Sequence, residues 1–187
     1  VERKAEDPIV EDYPFNHGFT LLTIGRLEYL KGLDLALAAC KLLKEDGVQF
    51  RWYVLGKGPL QEEIEDFIKR NGLENDFVLL GVTDNPYPYI KHADFYIQTS
   101  RTEGYGLAIA EARLLNIPVV STRFESVHLQ IRHGVNGLVV DMNPRAIYEG
   151  IKELMQNPLL CEQKIANLQM EKKGNSENID RFYRLID

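Results

Sequence analysis

The sequence predicts an α/β domain built on a doubly wound, parallel, six-stranded Rossmann-like sheet, with helices on both faces and a helical C-terminus. Three observations predict it. Short runs rich in β-formers alternate with stretches of helical periodicity from Phe19 to Val140. These runs are nearly continuous in apolar residues instead of alternating with polar ones, as strands covered on both faces require. Beyond Val140 the pattern is wholly helical. A chain of 187 residues with ordinary globular composition is expected to form one domain with a real core.

Residues 1–17 are polar, acidic and broken by Pro8 and Pro14, so they read as a linker outside the core, with the domain proper spanning 18–187. The first strand, 19–25, is rich in β-formers and stopped by Gly25. The helix over 32–46 places Leu33, Leu35, Leu37, Ala38, Leu42 and Leu43 at helical spacing and ends near Gly47. The alternation repeats as strand 50–55, helix 60–71, strand 77–80, a short helix at 87–92 and strand 95–99. Helix 107–115, strand 118–121, helix 126–132 and strand 137–140 complete the sheet. In the helix over 145–156, Ile147, Ile151, Leu154 and Met155 share one side; a helix over 159–169 follows, then a solvated turn at 171–176 and a last helix at 178–186.

A formal net charge of -6 and the lack of any Lys/Arg-rich run argue against a nucleic-acid partner, so any phosphate site must be local. Cys40 and Cys161 show no CxxC or Cys/His ligand spacing and suggest a reducing compartment. Cys40 lies in an apolar run and reads as a small buried hydrophobe. Neither the four histidines (His17, His92, His128, His133) nor any Asp-x-Asp pair marks a metal site. No apolar stretch is long enough to cross a bilayer, and the charged start at Val1 lacks a signal-peptide core. The expectation is a cytoplasmic protein, with peripheral membrane contact by a full-length form left open. The start without Met points to a segment upstream.

Ligands of an open parallel sheet gather beyond the carboxyl ends of its strands, which directs attention to the loops there. The loop from Gly25 to Gly32 sets Arg26 and Lys31 at a strand exit, just before a helix N-terminus that also favours an anion. A diphosphate fits there, although cations are equally common in surface loops. Gly56-Lys57-Gly58-Pro59 lets backbone approach a ligand or simply turns the chain into a helix. The loop holding Thr83, between Gly81 and Pro86, offers amides and carbonyls for the edge of a base, and turn chemistry explains it as well. The most informative loop is Ser100-Arg101-Thr102-Glu103-Gly104-Tyr105-Gly106-Leu107, with Glu111 early in the following helix. Two such carboxylates can accept from sugar hydroxyls in one cleft, while Gly104 and Gly106 let main-chain N–H groups face oxygens. Either acid alone would read as a solvated or dipole-favoured side chain.

Taken together, Gly25-Arg26 with Lys31-Gly32, Glu103-Gly104-Tyr105-Gly106-Leu107 with Glu111-Ala112, Pro118-Val119-Val120 and Asn136 to Val140 resemble the carboxyl-terminal domain of GT-B glycosyltransferases of family 4. The resemblance runs from about Phe19 to Ile151. It implies a retaining, metal-independent transferase without a cofactor, which takes a sugar from a UDP-, GDP- or ADP-sugar and passes it to a polysaccharide or lipid-linked acceptor. Arg26 and Lys31 would then neutralise the donor diphosphate, Glu111 would bind the ribose, Glu103 would hold the transferred sugar, and Gly104 to Leu107 would give main-chain contacts. Surface-polysaccharide synthesis in bacteria is the implied setting. The chain departs from the family at Phe124-Glu125-Ser126, where many members carry a Gly-Gly pair.

The family needs a second, amino-terminal domain that binds acceptor, and the resemblance covers only the donor-binding half, so this chain alone is expected to bind donor and transfer little. Phe182, Tyr183 and Ile186 either face that other domain or pack on their own sheet. Two further readings are a non-catalytic module that holds nucleotide-sugar, against which the intact Arg26, Lys31, Glu103 and Glu111 count, and a GT-B epimerase, whose motifs differ from this two-glutamate pattern.

Overall fold

The computed structural model describes residues 3–6, 9, 13, 16 and 18–186, and the side chains of 18–173 together with Ala5, Glu6, Ile9, Tyr13 and Asn16. Six strands, β1 (Phe19–Ile24), β2 (Phe50–Leu55), β3 (Phe77–Gly81), β4 (Phe95–Gln98), β5 (Val119–Thr122) and β6 (Gly137–Val140), form a single sheet in the order β3-β2-β1-β4-β5-β6. Every pairing is parallel. The helices are α1 (Leu33–Glu45), α2 (Gln61–Arg70), α3 (Tyr87–Lys91), α4 (Leu107–Leu114), α5 (Pro144–Gln156) and α6 (Pro158–Ile186).

The continuous apolar strands are explained by a core on each face. Leu21, Trp52, Ile97, Val120 and Leu138 point to one side, where α1, α2 and α5 cover them. Their immediate neighbours Leu22, Tyr53, Tyr96, Val119 and Val139 point to the other, under α3 and α4. Because successive strand side chains alternate between faces, both members of each pair must be apolar. Where a polar group enters this core it is bonded: Trp52 Nε1 donates to Thr23 Oγ1 at 2.9 Å, which donates to the Ile97 carbonyl at 2.7 Å. Cys40 is fully buried among the apolar residues of the first core, as its setting in the sequence suggests.

Three details differ from expectation. Residues 126–132 form only a 3-10 turn, Val127–Leu129, because Val127, Ile131 and Phe124 are drawn into the core while the chain crosses toward β6. At the other end, α6 is continuous through the segment read as a solvated turn at 171–176. Gly174 costs a helix about 1 kcal/mol, and tertiary contacts offset it: Glu171 accepts from Arg113 Nη2 at 2.8 Å, from Asn136 Nδ2 at 3.0 Å and from Arg132. Lastly, the leading segment is not wholly outside the core. Ala5 and Tyr13 are buried, and the Tyr13 ring meets Tyr53 and Tyr89 edge-on at 4.7 and 5.0 Å between centroids.

Helix α6 also anchors the loop before β6. Lys164 is fully buried and donates from Nζ to the Gly134 carbonyl at 2.9 Å, and burial draws its pKa below the ordinary lysine value. Asn167 donates to the Val135 carbonyl at 2.9 Å. The side chains of Phe182, Tyr183 and Ile186 lie outside the described residues. Among the described residues no helix is long and apolar enough to cross a membrane.

Candidate active site

The strand order reverses between β1 and β4, the point at which an open parallel sheet presents its crevice. The loop after β1 carries Lys31 at the end of a 3-10 turn, Tyr29–Lys31, and the loop after β4 carries Glu103. They meet. Lys31 Nζ lies 2.6 Å from Glu103 Oε1, and the two side chains retain 23% and 13% of their exposure, so solvent screens this pair less than an ordinary surface bridge. The same carboxylate oxygen accepts from Gln98 Nε2 at 2.7 Å and from Ser100 Oγ at 2.7 Å.

Backbone contacts fix the two loops to each other. Thr99 Oγ1 donates to the Lys31 carbonyl at 2.9 Å, and Arg101 N–H donates to the Leu30 carbonyl at 2.8 Å. Arg101 reaches back further: its guanidinium lies over the Tyr29 ring at 4.0 Å and grips both oxygens of Asp34 at 2.8 and 2.7 Å. That hydrogen bonding holds the Asp34 carboxyl below its ordinary pKa despite partial burial. Gly32 packs directly against the second loop. It adopts φ +63°, and a Cβ there would stand 2.1 Å from the Thr99 carbonyl oxygen.

Helix α4 starts at Gly106, in the left-handed region with φ 75° and ψ 57°, with no side-chain cap on its first amides. Its N-terminus therefore offers bare N–H groups and the positive end of a dipole to whatever occupies the crevice. The loop leading into it is supported from beneath: Ser126 Oγ donates to the Glu103 carbonyl at 2.8 Å, and Gln130 Nε2 donates to the Tyr105 carbonyl at 3.1 Å. At the departure Phe124-Glu125-Ser126, the first residue is buried in the core and the third holds the main chain of Glu103.

Two clefts flank the exit of β1. One, of about 440 Å³, is lined by Lys31, Gln98, Glu103, Tyr105, Gly106 and Leu107. The other, of about 740 Å³, lies toward β2 and is lined by Arg26, Gly56, Lys57, Gly58, Pro59 and Val82 among others. The structure thus brings Lys31, Glu103, Tyr105, Gly106 and Leu107 together and sets Arg26 on the opposite flank, 68% exposed and 3.6 Å from Glu28. Gly25 sits between the flanks, its amide bonded to the Leu55 carbonyl at 3.0 Å. Gly104 is open, with no atom within 4 Å of a Cβ built on it. Thr83 is exposed beside Val82 and its Oγ1 accepts from Asn85 N–H at 3.2 Å.

Glu111 is not among the residues lining the Glu103 cleft; its Oε1 accepts from the Tyr87 hydroxyl at 3.1 Å. Burial, and after it the Glu111 charge, raise the Tyr87 pKa, so the phenol stays a donor. Both acids act on Tyr96, which lies between strand and crevice. The fully buried Tyr96 phenol is pushed up by burial, and further by the charges of both Glu103 and Glu111.

Sequence reasoning missed Gln98, Tyr87, Arg101 and Gln130. Gln98 alone carried a signal, as the polar end of the apolar strand Phe95–Gln98. Partners such as Tyr87–Glu111, 24 positions apart, or Arg101–Asp34, 67 apart, have no local signature.

Comparison with known proteins gives a consistent result. A family model described as "Glycosyl transferases group 1" matches residues 8–173. The putative colanic acid biosynthesis glycosyltransferase WcaL of Escherichia coli is 30% identical over 173 residues, covering 86% of this chain and 43% of that protein. The amylovoran biosynthesis glycosyltransferase AmsK of Erwinia amylovora is 31% identical over 125 residues, covering 63% of this chain and 31% of that protein. The chain therefore spans less than half the length of these two relatives. Among solved structures, the C-terminal domain of the group 1 protein LpcC from Francisella tularensis superposes with a TM-score of 0.73 at 21% identity, covering 81% of this chain and 83% of that one. Anabaena HepE, solved with UDP and glucose, superposes with a TM-score of 0.77 at 22% identity, covering 88% of this chain and 48% of that one.

Proposed function

The chain belongs to the glycosyl transferases group 1 family, and on that premise we propose that it is the donor-binding half of a retaining glycosyltransferase acting on nucleoside-diphosphate sugars. The observation that carries this reading is the Lys31–Glu103 pair at the switch point, beside the uncapped N-terminus of α4. A cation and bare helix amides suit a diphosphate, and a carboxylate with one oxygen held by protein donors has its other oxygen available for sugar hydroxyls.

In this reading the diphosphate lies across the exit of β1, between Lys31 and Arg26, and these cations offset the negative charge that grows on the nucleoside diphosphate as the bond to the sugar breaks. No metal or cofactor is needed for that step. Glu103 holds the transferred sugar, Gly104 to Leu107 give main-chain contacts, Glu111 with its partner Tyr87 takes the ribose hydroxyls, and the loop at Thr83 faces the base. The acceptor, a polysaccharide or lipid-linked glycan, binds through an amino-terminal domain of a full-length protein that works in the cytoplasm. This chain alone transfers little. Surface-polysaccharide synthesis is the setting, supported by the colanic acid and amylovoran biosynthesis roles of the E. coli and E. amylovora relatives.

Calorimetry with UDP, GDP and ADP and their glucose or mannose derivatives tests the proposal. One of the nucleotides binds, Lys31→Ala weakens it by about tenfold or more, Arg26→Ala also weakens it, and Glu103→Ala reduces the preference for the sugar-bearing form. Failure of every nucleotide to bind would refute the donor-site reading.

A further inference from the structure

We propose that Gln98 is a positioning residue for Glu103, setting which carboxylate oxygen faces the sugar; the inference rests on the donor-site reading above. Gln98 ends a strand whose other members, Phe95, Tyr96 and Ile97, are apolar or aromatic and buried, and it is itself only 4% exposed. A buried primary amide is costly unless its partners are supplied, and here they are supplied at both ends. Its oxygen accepts from the Tyr96 hydroxyl at 2.7 Å. Its nitrogen donates to Ser100 Oγ at 2.6 Å and to Glu103 Oε1 at 2.7 Å.

The orientation of this amide follows from its neighbours. An ionised carboxylate only accepts, so the nitrogen must face Glu103. Tyr96 is fully buried and burial keeps its phenol protonated, so its hydroxyl is a donor and the amide oxygen must face it. Tyr96 is fixed in turn beside the end of β1, 3.3 Å from the Ile24 carbonyl. The result is a buried relay from the strand end to the crevice, in which each group has one sensible role.

The relay acts on one oxygen. Glu103 Oε1 receives Lys31, Gln98 and Ser100, whereas among the described residues no protein group bonds Oε2. Gln98 supports two of these three donors, because it also bonds the Ser100 hydroxyl. Lys31 is the weaker anchor, since its ammonium sits on a flexible stem and the donor site also assigns it to phosphate. A carboxylate fixed by Gln98 and Ser100 keeps its open oxygen aimed when Lys31 turns to a diphosphate.

Calorimetry on the whole chain, pairing UDP with UDP-glucose or the nucleotide pair preferred in the panel above, measures the ratio of affinities for the sugar-bearing and bare nucleotide. In Gln98→Leu this ratio falls by about tenfold to a hundredfold, the worth of a hydrogen bond to a charged group, while affinity for the bare nucleotide stays within about twofold. Gln98→Glu adds a readout that simple packing would not move. A protonated Glu at 98 donates to Glu103 as the amide does, and an ionised one repels it, so the ratio in this variant, divided by that of the unmodified chain at the same pH, falls between about pH 6 and about pH 8; the division removes the ionisation of the bare nucleotide's terminal phosphate, which is common to both chains.

A wild-type chain that binds nucleotide without preferring the sugar-bearing form overturns the sugar-holding role of Glu103 and this inference with it. A preference lost in Glu103→Ala but kept in Gln98→Leu overturns the inference alone, as does equal loss of both ligands. Should Gln98→Leu fail to fold, a Gln98→Glu ratio that follows that of the unmodified chain across this pH range overturns it.

Discussion

Replacing Gly32 by Ala tests how tightly the two crevice loops depend on one another. The residue lies at φ +63°, which costs a residue with a Cβ about 1–2 kcal/mol. The added methyl would also stand 2.1 Å from the Thr99 carbonyl oxygen, nearly 1 Å inside the closest tolerated approach, so a loop must move. Relieving such an overpacked contact costs about 1–3 kcal/mol. Lower chain entropy in the unfolded state offsets roughly 0.4–1 kcal/mol. The net loss is roughly 3 kcal/mol, or about 6–12 °C in Tm for a domain of this size. Gly47→Ala is the matched control: φ is +73° there, and a Cβ meets nothing within 4 Å, so only the conformational cost applies. Thermal unfolding of both variants separates the terms. The reasoning is refuted if Gly32→Ala melts no lower than Gly47→Ala.

The displaced loop carries Lys31, so the Gly32 variant also weakens nucleotide binding at temperatures where it is folded, measured by calorimetry. Tyr87→Phe removes the hydroxyl that bonds Glu111 at 3.1 Å, and it weakens nucleotides with a free ribose by about threefold to tenfold while leaving pyrophosphate unaffected; equal losses on both ligands count against the ribose role. Glu171 is held below its ordinary pKa of 4.5, since hydrogen bonds from Arg113, Arg132 and Asn136 outweigh the opposing effect of burial. The unfolded chain therefore binds this proton more tightly, and the stabilisation is complete above the ordinary value and lost as pH falls through the folded one. Denaturant unfolding at stepped pH shows that acid-side loss in the wild-type chain and a shallower one in Glu171→Gln; identical slopes refute the assignment.

The sheet was legible because each strand needs two covered faces. Pairs such as Leu21-Leu22 and Tyr96-Ile97 can satisfy both cores only as continuous apolar runs, and such runs stand out in the sequence. Gly106 and Lys31 were legible as strand-exit residues for the same reason, since strand ends locate loops. The C-terminus was not. A glycine and several charges at 171–176 carry the local chemistry of a turn, and only distant partners, Arg113 and Arg132, show why the helix continues. Nor could spacing show that Arg26 and Lys31, five residues apart, serve different clefts, because the turn at Tyr29–Lys31 directs Lys31 toward β4 while Arg26 remains beside Gly56. Glu111 was found as a residue but not with its partner, which comes from a helix that begins 24 positions earlier.

Glu171 anchors Arg113 at 2.8 Å, Arg113 Nη1 donates to Gln130 Oε1 at 2.8 Å, and Gln130 holds the Tyr105 carbonyl at 3.1 Å. The chain of contacts works as a tie-rod. One end is fixed in a helix that starts at Pro158, beside Phe19, Phe95 and Pro118 at the entry ends of the central strands, and the other sets the height of the loop that carries Glu103 into the crevice. Stiffness in that loop is thus borrowed from a part of the sequence more than fifty residues downstream, and a change that shifts the register of α6 would be felt first at Tyr105.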